Sequence, residues 1–284
     1  MNKNIMGSIL IIAASFFFAT QAVFARHIKS DIMTMLAYTE AIFIFLIVIA
    51  ILFKDKSLFV PPKNLSWVLI SGIVLAFTML TYLTAFRLTT FANAIFMHYT
   101  APVFALVIAV VALKERFEWQ TLAAILISLA GIFLLAGGYR FSSEHLTGIA
   151  VALLSGLLFA ILINITKAIA GEMNYLTYMF YQAIPVFIIF SPLLLNAVPD
   201  ANDLMLIGAL AALVYIPGEI FFLAGTRRLK AQHVGMIAYS EILFVILFGW
   251  LFFREMPGNL VWLGGTLIVA AGAWIIKKES HQAR

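Results

Sequence analysis

Residues 99–115 read YTAPVFALVIAVVALKE, and residues 239–255 read YSEILFVILFGWLFFRE. Aligned without a gap, the two stretches share their first tyrosine, a phenylalanine and their final glutamate, and they place Lys114 opposite Arg254. Both are apolar for most of their length and end in a charged pair, as a membrane span does where it leaves the bilayer. The likeness predicts that the chain contains two related halves.

A second pair of stretches supports this prediction. Residues 7–28 and 148–169 share a glycine, a Phe-Ala pair and an isoleucine, and they place Arg26 opposite Lys167. Apolar helices resemble one another by chance, so either pair alone is weak evidence. The two pairs occur in the same order in each half, which indicates a repeat.

Composition assigns the chain to the membrane proteins. Its 284 residues are 64% hydrophobic and 11% charged, whereas soluble domains are about 45–50% apolar and about 25% charged. The net charge of +5 is explained by basic loops between spans, so no nucleic-acid partner is expected. The absence of cysteine from the sequence excludes disulfides, a thiolate nucleophile and a cysteine metal site.

The apolar runs of the sequence are each near the ~20 residues that a helix needs to cross a bilayer. The first run is longer than the apolar region of a signal peptide, about 7–15 residues, and is predicted to be a retained helix. We predict an all-α integral membrane protein with ten transmembrane helices, at residues 5–25, 32–53, 65–86, 91–113, 119–137, 146–166, 175–195, 204–226, 231–253 and 260–276.

The distribution of basic residues predicts the topology. With ten spans, both termini and every second loop lie on one side of the membrane, and most Lys and Arg residues fall on that side. The other side receives only Arg26, Lys29, Arg87, Arg140 and Arg254. The positive-inside rule therefore predicts a multi-pass protein of the cell (inner) membrane with both termini in the cytoplasm.

Each predicted half has five spans, an odd number, so the second half enters the membrane in the opposite orientation. We predict an N-terminal five-helix repeat at residues 1–138, an inverted C-terminal repeat at 146–278 and a cytoplasmic tail at 279–284. Inverted repeats are typical of secondary transporters, whose substrate site lies between the halves near the middle of the membrane.

The fourth and ninth spans carry a short motif as well as the repeat. Its residues are Tyr99, Pro102, Val103 and Phe104 in span four, and Tyr239, Glu241 and Phe244 in span nine. In these residues, in the Lys/Arg-Glu pairs that end both spans and in its ten spans, the whole chain resembles the EamA-type members of the drug/metabolite transporter superfamily. It departs from them at Ile242, where they commonly have proline, and at Ser15-Phe16, near where they often have Trp-Gly. The resemblance implies a transporter, often an exporter of amino acids or other small metabolites, with its cavity between the halves.

Three carboxylates lie well inside predicted spans, namely Glu40, Glu219 and Glu241. Each charge at a helix centre costs about 2.5–3.5 kcal/mol on insertion scales, and no Lys or Arg lies deep within a span to neutralise them. They are predicted to be protonated, paired with His98 or His233, or exposed to a wet cavity that admits protons or cations. The alternative is a neutral carboxyl that is hydrogen-bonded between helices, for Glu40 through Tyr38 or Thr39.

Two prolines mark predicted irregularities near ionisable groups. Pro102 cannot donate to the carbonyl of His98, so it bends span four at the histidine. His98 is suited to proton exchange, with simple packing as the alternative. Glu219 follows Pro217, where a loosened helix at membrane depth indicates either a cavity or only a kink. Proton coupling or cation binding is thus predicted for Glu40, Glu219, Glu241 and His98.

Other polar and aromatic residues interrupt the spans. Together they predict a polar pocket with aromatic walls for a small organic solute, with hydrogen bonding between helices as the alternative for each one. The predicted substrate-binding residues are Gln21, Thr78, Tyr82, Asn93, Met97, His98, Tyr99, Asn164, Tyr215 and Tyr239.

Spans five and ten carry small residues at helical spacing and no ionisable group. They are predicted to be scaffold helices or a homodimer contact, because small side chains let helices pack closely. The small residues are Ala124, Ser128 and Gly131 in span five, and Gly264, Gly265 and Gly272 in span ten.

The sequence contains none of the motifs HExxH, G-x-S-x-G, GxxxxGK[ST] or G-x-G-x-x-G after a strand, so enzymatic activity, a metal and a cofactor are not expected. The predicted function is a secondary transporter that moves a small organic metabolite, such as an amino acid, an amine or a related zwitterion, by alternating access. Its partners are that solute, the lipid bilayer and protons, and export is the favoured direction. Uncoupled uniport by the same fold and, less favoured, a polytopic membrane enzyme are the alternatives.

Overall fold

A computed structural model describes residues 3–135, 146–256 and 258–282 of the chain. Within these ranges every regular element is helical. The α-helices are α1 (Lys3–Ala25), α2 (Ile32–Lys54), α3 (Leu65–Leu88), α4 (Phe91–His98), α5 (Ala101–Ala112), α6 (Trp119–Leu135), α7 (Leu146–Ile169), α8 (Tyr175–Phe190), α9 (Ala201–Ala209), α10 (Ile216–Thr226), α11 (Ala231–Ile237), α12 (Ser240–Phe253) and α13 (Asn259–Gln282).

Nine segments of the described chain are long and apolar enough to cross a membrane, and α6 is a shorter apolar helix of 17 residues. These ten correspond to the ten predicted spans, because α4 with α5, α9 with α10 and α11 with α12 each form one span. The all-helical membrane fold is confirmed. The predicted limit of the first repeat at residue 138 and the last two residues of the fifth span lie outside the described residues. Helix α13 continues to Gln282, so it extends into the tail predicted at residues 279–284.

Spans four and nine are each divided by a break at corresponding positions. In span four, α4 ends at His98 and α5 begins at Ala101. Pro102, the second residue of α5, has no N–H group, so the helix cannot continue its hydrogen bonds through this point. In span nine, α11 ends at Ile237 and α12 begins at Ser240. The break predicted for span four is present, and an equivalent break occurs in span nine without proline.

The break in span nine is held by short-range backbone bonds. The N–H of Glu241 donates to the carbonyl of Ala238 at 3.0 Å, and the N–H of Ile242 donates to that of Tyr239 at 3.2 Å. The Tyr239 hydroxyl donates to the carbonyl of Tyr99 at 2.7 Å. That carbonyl lacks its usual helical partner because the N–H of Val103 bonds to Thr100 instead. One broken helix thus satisfies the polar backbone that the other leaves open, as burial in a membrane requires.

Span eight contains a different irregularity, a π-helical turn at Leu210–Tyr215 between α9 and α10. Pro217 is the second residue of α10 and cannot donate to the carbonyl four residues earlier, and a wider turn accommodates this loss. The irregularity predicted beside Pro217 therefore lies on its N-terminal side. Glu219 lies one turn beyond the π-helical turn, within the same continuous helical segment.

Helices α5 and α12, which lie in the two related stretches at residues 99–115 and 239–255, run in opposite directions through the bundle. Gly7, near the start of α1, packs against Leu229, which precedes α11. At the same end, Glu115 follows α5 and accepts a hydrogen bond from the N–H of Ala231 at 2.8 Å. Glu255, its counterpart after α12, pairs instead with Arg26 at the far end of α1. Helices α5 and α12 therefore finish at opposite ends, as an inverted arrangement requires.

Helices α6 and α13 pack closely through glycine. A Cβ on Gly131 would lie 2.6 Å from the carbonyl oxygen of Gly264, and a Cβ on Gly264 would lie 2.4 Å from that of Gly131. No other residue type fits at this distance without separating the helices. The scaffold role predicted for these two glycines is therefore supported, while the homodimer stays a prediction.

Candidate functional site

A cavity of about 480 Å³ lies inside the bundle, between helices of both halves. It is lined by α1, α2, α3, α7, α8 and α10 and by the broken helices of spans four and nine. This volume suits a small organic solute. Ten predicted site residues line it: Gln21, Glu40, Thr78, Tyr82, His98, Tyr99, Tyr215, Glu219, Tyr239 and Glu241.

The three embedded carboxylates meet in this cavity although they come from three different helices. Glu40, in the middle of α2, is 6% exposed, and Glu219 and Glu241 are half-buried. Across the described residues none of the three carboxylates accepts a hydrogen bond or forms an ion pair, and no Lys or Arg lines the cavity. The site therefore contains three carboxyl groups, and the described residues place no positive charge opposite them.

The break in span nine explains how one of these acids is accommodated. Glu241 lies in the first turn of α12, which begins after the break, whereas Glu219 lies within the continuous helical segment Ala201–Thr226. The N-terminus of a helix carries a partial positive charge, which stabilises a nearby carboxylate by about 0.3–1 kcal/mol in exposed settings and more when buried. An unbroken span nine would place Glu241 at mid-helix without this field. The break in span nine therefore serves the site as well as the backbone.

His98 contacts aromatic rings rather than acids. Its ring lies 4.1 Å from the ring of Tyr82 and stacks on Phe159 at 5.5 Å, between centroids. Its Nδ1 is 2.9 Å from the hydroxyl oxygen of Ser155. The predicted pairing of an embedded glutamate with His98 is absent among the described contacts. The histidine lines the cavity wall within an aromatic stack, and a role in proton transfer stays a prediction.

Three predicted substrate-binding residues do not line the cavity. Asn93 is fully buried beside the start of α4, and its amide donates to the hydroxyl of Thr89 at 3.0 Å. Asn164 donates to the carbonyls of Ala160 and Ala105, the second of which is on a neighbouring helix. Met97 packs with apolar residues of α3 and α7. Their sequence pattern marked them as interruptions of the spans but did not show which neighbouring helix each side chain contacts.

Sequence reasoning missed Gln182, whose side chain lines the cavity from α8. Its amide donates to Ser71 and to the hydroxyl of Tyr178, both at 3.2 Å. Tyr178 and Gln182 are four residues apart and so lie on one face of α8, a spacing that is visible in the sequence. The Tyr178 hydroxyl is also bonded to Thr166 of α7, so this polar group joins α3, α7 and α8 at the cavity wall.

The cavity extends toward one end of the bundle. Ala25 at the end of α1, Ile32 at the start of α2 and Phe86 near the end of α3 line it. This is the end at which Arg26 pairs with Glu255. By the charge distribution of the loops, it is also the end predicted to face away from the cytoplasm.

The opposite end is held by a group that we call the Glu118 cluster, consisting of Glu118, Lys230, His233 and Lys278. Both lysines donate to the Glu118 carboxylate, and Nε2 of His233 lies 3.1 Å from it. Burial alone would raise the pKa of Glu118, but the hydrogen bonds from His233 and the lysines outweigh it and hold that pKa well below its ordinary value.

The prediction that His233 could pair with an embedded acid is corrected by this cluster. His233 belongs to α11 and Glu241 to α12, so the break removes the helical register that related them. The ring of His233 is fully buried at the end of the bundle, where it also lies 3.2 Å from the hydroxyl of Thr121. No group of three or more His, Asp or Glu residues in the described ranges could hold a metal ion.

Apolar spans from both halves around a solute-sized chamber, with broken helices at its centre, are typical of a membrane transporter. The model of the EamA-like transporter family matches residues 5–137 and again residues 146–277, and the chain belongs to this family. The predicted family membership is thereby confirmed, and the chain is a multi-pass transporter of the drug/metabolite transporter superfamily with a small-molecule substrate.

Named relatives are similar along most of the chain. Solute carrier family 35 member G1 of Mus musculus is 24% identical, with 93% of this chain and 76% of that protein aligned. The pseudopaline exporter CntI of Pseudomonas aeruginosa is 23% identical over 93% of this chain and 94% of its own length. The S-adenosylmethionine uptake transporter of Rickettsia prowazekii is 22% identical over 73% of this chain and 70% of its own. These names describe transporters rather than enzymes.

A solved crystal structure matches the fold with a TM-score of 0.84, covering 97% of this chain and 98% of its own at 18% sequence identity. At this identity the likeness concerns the fold alone. The arrangement of helices around the cavity is therefore one that a crystallised protein also adopts.

Proposed function

We propose that this chain is a secondary transporter that exports a small organic metabolite carrying an amino group, in exchange for protons, by alternating access around the central cavity. Amino acids, amines and related zwitterions share that group. The observation that carries the proposal is the set of three cavity carboxylates, Glu40, Glu219 and Glu241, for which the described residues supply no counter-charge.

The carboxylates suit exchange because each can hold only one partner at a time. In a cavity of low dielectric a carboxylate is stabilised by a proton or by a cation, and an unpartnered charge is costly. When a proton enters from one side, the ammonium group leaves, and the reverse occurs on the other side. Competition for the same oxygen atoms thus couples the two movements.

The available driving force is adequate for export. One pH unit corresponds to 1.36 kcal/mol, about a tenfold concentration ratio for one proton exchanged. A membrane potential adds about 2.3 kcal/mol per charge per 100 mV when the exchange moves net charge. Export is supported by the name of the relative CntI and by a cavity that reaches the end predicted to face outward. Another relative is named as an uptake transporter, so the direction of transport has to be measured.

Transport in proteoliposomes tests the proposal. Purified protein is first screened for thermal stabilisation by amines, amino acids and quaternary amines, because a ligand that binds the folded state raises its stability. The best ligand is then used, in labelled form, for counterflow and for uptake driven by a pH gradient. We expect saturable counterflow, and transport driven by the gradient that Glu219→Gln and Glu241→Gln abolish.

Glu255→Gln is the matched control, because Glu255 lies at the bundle end and its side chain is 54% exposed. Gradient-driven transport that survives in both cavity variants would remove the proton from the proposal and favour uncoupled uniport. Consumption of the solute, in place of its movement, would favour a membrane enzyme.

A further inference from the structure

Within the described chain, the cavity carboxylates lack donors, and several donors on the cavity wall are already committed. The hydroxyl of Thr78 donates to the carbonyl of Val74 at 2.7 Å, and that of Tyr239 donates to Tyr99. The Gln182 amide already donates to two neighbouring oxygens. The cavity carboxylates, by contrast, have no donor from the described residues. A ligand that brings its own N–H groups fits this imbalance, because unpaired buried polar groups are costly.

A substrate carboxylate would find no oppositely charged side chain here. Among the residues that the structure describes, no Lys or Arg lines the cavity. Helix N-termini are the usual alternative for an anion, but α12, which begins at the break beside the cavity, has Glu241 in its first turn. The N–H groups of Glu241 and Ile242 are already bonded inside the break. An anion placed at this terminus would meet a like charge.

The acids fall into two groups by the elements that carry them. Residues of α2 on either side of Glu40 pack in shared apolar clusters with residues of the π-helical turn and of α10 that precede and follow Glu219. Glu241 follows the break in span nine, where the Tyr239 hydroxyl donates to the carbonyl of Tyr99 in span four. All three acids and Tyr215 line the cavity.

We propose that the substrate is a small aliphatic amine with two positively charged nitrogens and no carboxylate, one nitrogen held between Glu40 and Glu219 and the other beside Glu241. This inference rests on the proposed function for its transport aspect and narrows the amine-bearing class to dications. One ammonium group relieves the repulsion of the first pair, and the second neutralises the remaining acid. The aromatic wall formed by Tyr82 and His98 accommodates the alkyl chain between them and favours cations near its face.

Three probes of nearly equal size test the inference on the purified wild-type protein. Butylamine has one ammonium group, 1,4-diaminobutane carries a second ammonium group on the fourth carbon of the same chain, and 4-aminobutanoate has a carboxylate in place of the terminal methyl of butylamine. Affinities are measured by titration calorimetry at neutral pH and constant ionic strength. We expect 1,4-diaminobutane to bind at least tenfold more tightly than butylamine, and 4-aminobutanoate to bind more weakly than butylamine. Equal affinity of the diamine and butylamine, or a zwitterion that binds as tightly as the diamine, would overturn the inference.

Variants then locate the second nitrogen. In Glu241→Gln the advantage of 1,4-diaminobutane over butylamine should fall to less than threefold, while Glu255→Gln should retain it in full. An undiminished advantage in folded Glu241→Gln would contradict the assignment of that acid. Because the probe series needs no variant, misfolding of a variant leaves the first test intact.

Binding and transport separate the two proposals. If the diamine binds in the expected order but shows no counterflow, the cavity assignment stands and the proposed function fails. If counterflow is found only for a solute with a carboxylate, the proposed function stands and the dication is wrong.

Discussion

Replacement of Glu118 by glutamine is expected to weaken the closed end of the bundle. The carboxylate joins the segment before α6 to Lys230, which precedes α11, and to Lys278 near the end of α13. Glutamine keeps the shape of the side chain but removes the charge. Two lysines and the buried ring of His233 then lose their common partner.

The burial of the cluster sets the size of the effect. The side chains of Glu118 and Lys278 are only 10% and 13% exposed, and that of Lys230 is 38% exposed. Breaking a buried pair costs about 3–5 kcal/mol, and breaking an exposed one about 0–1 kcal/mol. We therefore expect a loss of about 2–4 kcal/mol. The pair formed by Arg26 and Glu255, at 49% and 54% exposure, supplies a control, and Glu255→Gln should stay below about 1 kcal/mol.

Thermal unfolding in detergent measures the difference. A soluble domain of 150–250 residues loses roughly 2–4 °C per kcal/mol, so on that scale Glu118→Gln should lower the melting temperature by about 4–16 °C. Because the pKa of Glu118 is lowered in the folded state, its contribution is fully present above its ordinary value of 4.5 and is lost as pH falls below it. The gap between wild type and variant should be equal at pH 6 and pH 8 and should narrow below 4.5. Equal losses in Glu118→Gln and Glu255→Gln at pH 7 would refute the reasoning.

The same change is expected to shift the conformational equilibrium. If the Glu118 cluster exists only while its end is closed, losing 2–4 kcal/mol changes the ratio of open to closed by about 30- to 900-fold, at 1.36 kcal/mol per factor of ten. The chain has no cysteine, so Ser15→Cys on the cavity wall gives a single labelling site. Labelling by an impermeant maleimide from the cluster side should rise in Glu118→Gln, and an unchanged rate would show that the cluster does not control opening.

Two further substitutions test the broken helices. Gly156→Ala places a Cβ 2.7 Å from the carbonyl oxygen of His98 and should lower the stability by about 1–3 kcal/mol through overpacking. The control Gly272→Ala, with no neighbour within 4 Å, should leave the stability unchanged. Comparable melting temperatures of the two variants would argue against this contact. Tyr239→Phe leaves the carbonyl of Tyr99 without its donor and should lower the stability by about 1–3 kcal/mol. Faster proteolysis or a lower melting temperature would show this loss. Wild-type stability would mean that another group satisfies the carbonyl.

The helices could be predicted from the sequence because their lengths and composition are dictated by the bilayer. The break in span four could also be predicted, since Pro102 removes a backbone donor. The equivalent break in span nine could not, because Ile242 gives no such signal. It is held by short-range backbone bonds and by the bond from the Tyr239 side chain to the carbonyl of Tyr99, and the second of these joins distant parts of the chain.

The cavity acids and most of its tyrosines were predictable because a polar group in an apolar span requires a partner or a wet surface. The positions of Asn93 and Asn164 were not. Both satisfy backbone or side-chain groups next to them, and an asparagine that bonds within its own helix has the same sequence pattern as one that faces a ligand. The pairing predicted for His233 was wrong for a related reason. The predicted span nine was one continuous helix, whereas a break separates His233 in α11 from Glu241 in α12.

Spans four and nine end in equivalent glutamates with different partners, and this difference bears on the proposed alternating access. Glu115 and Glu255 occupy equivalent positions, at opposite ends of the bundle. Glu115 is bonded to the backbone at Ala231 and lies beside the Glu118 cluster, whereas Glu255 forms an exposed pair with Arg26. In the proposed mechanism, exchange of the two halves would otherwise give conformations of nearly equal energy, so we expect the stronger contacts at one end to favour the state in which that end is closed. A ligand that neutralises the cavity acids would then supply the differential free energy that opens it.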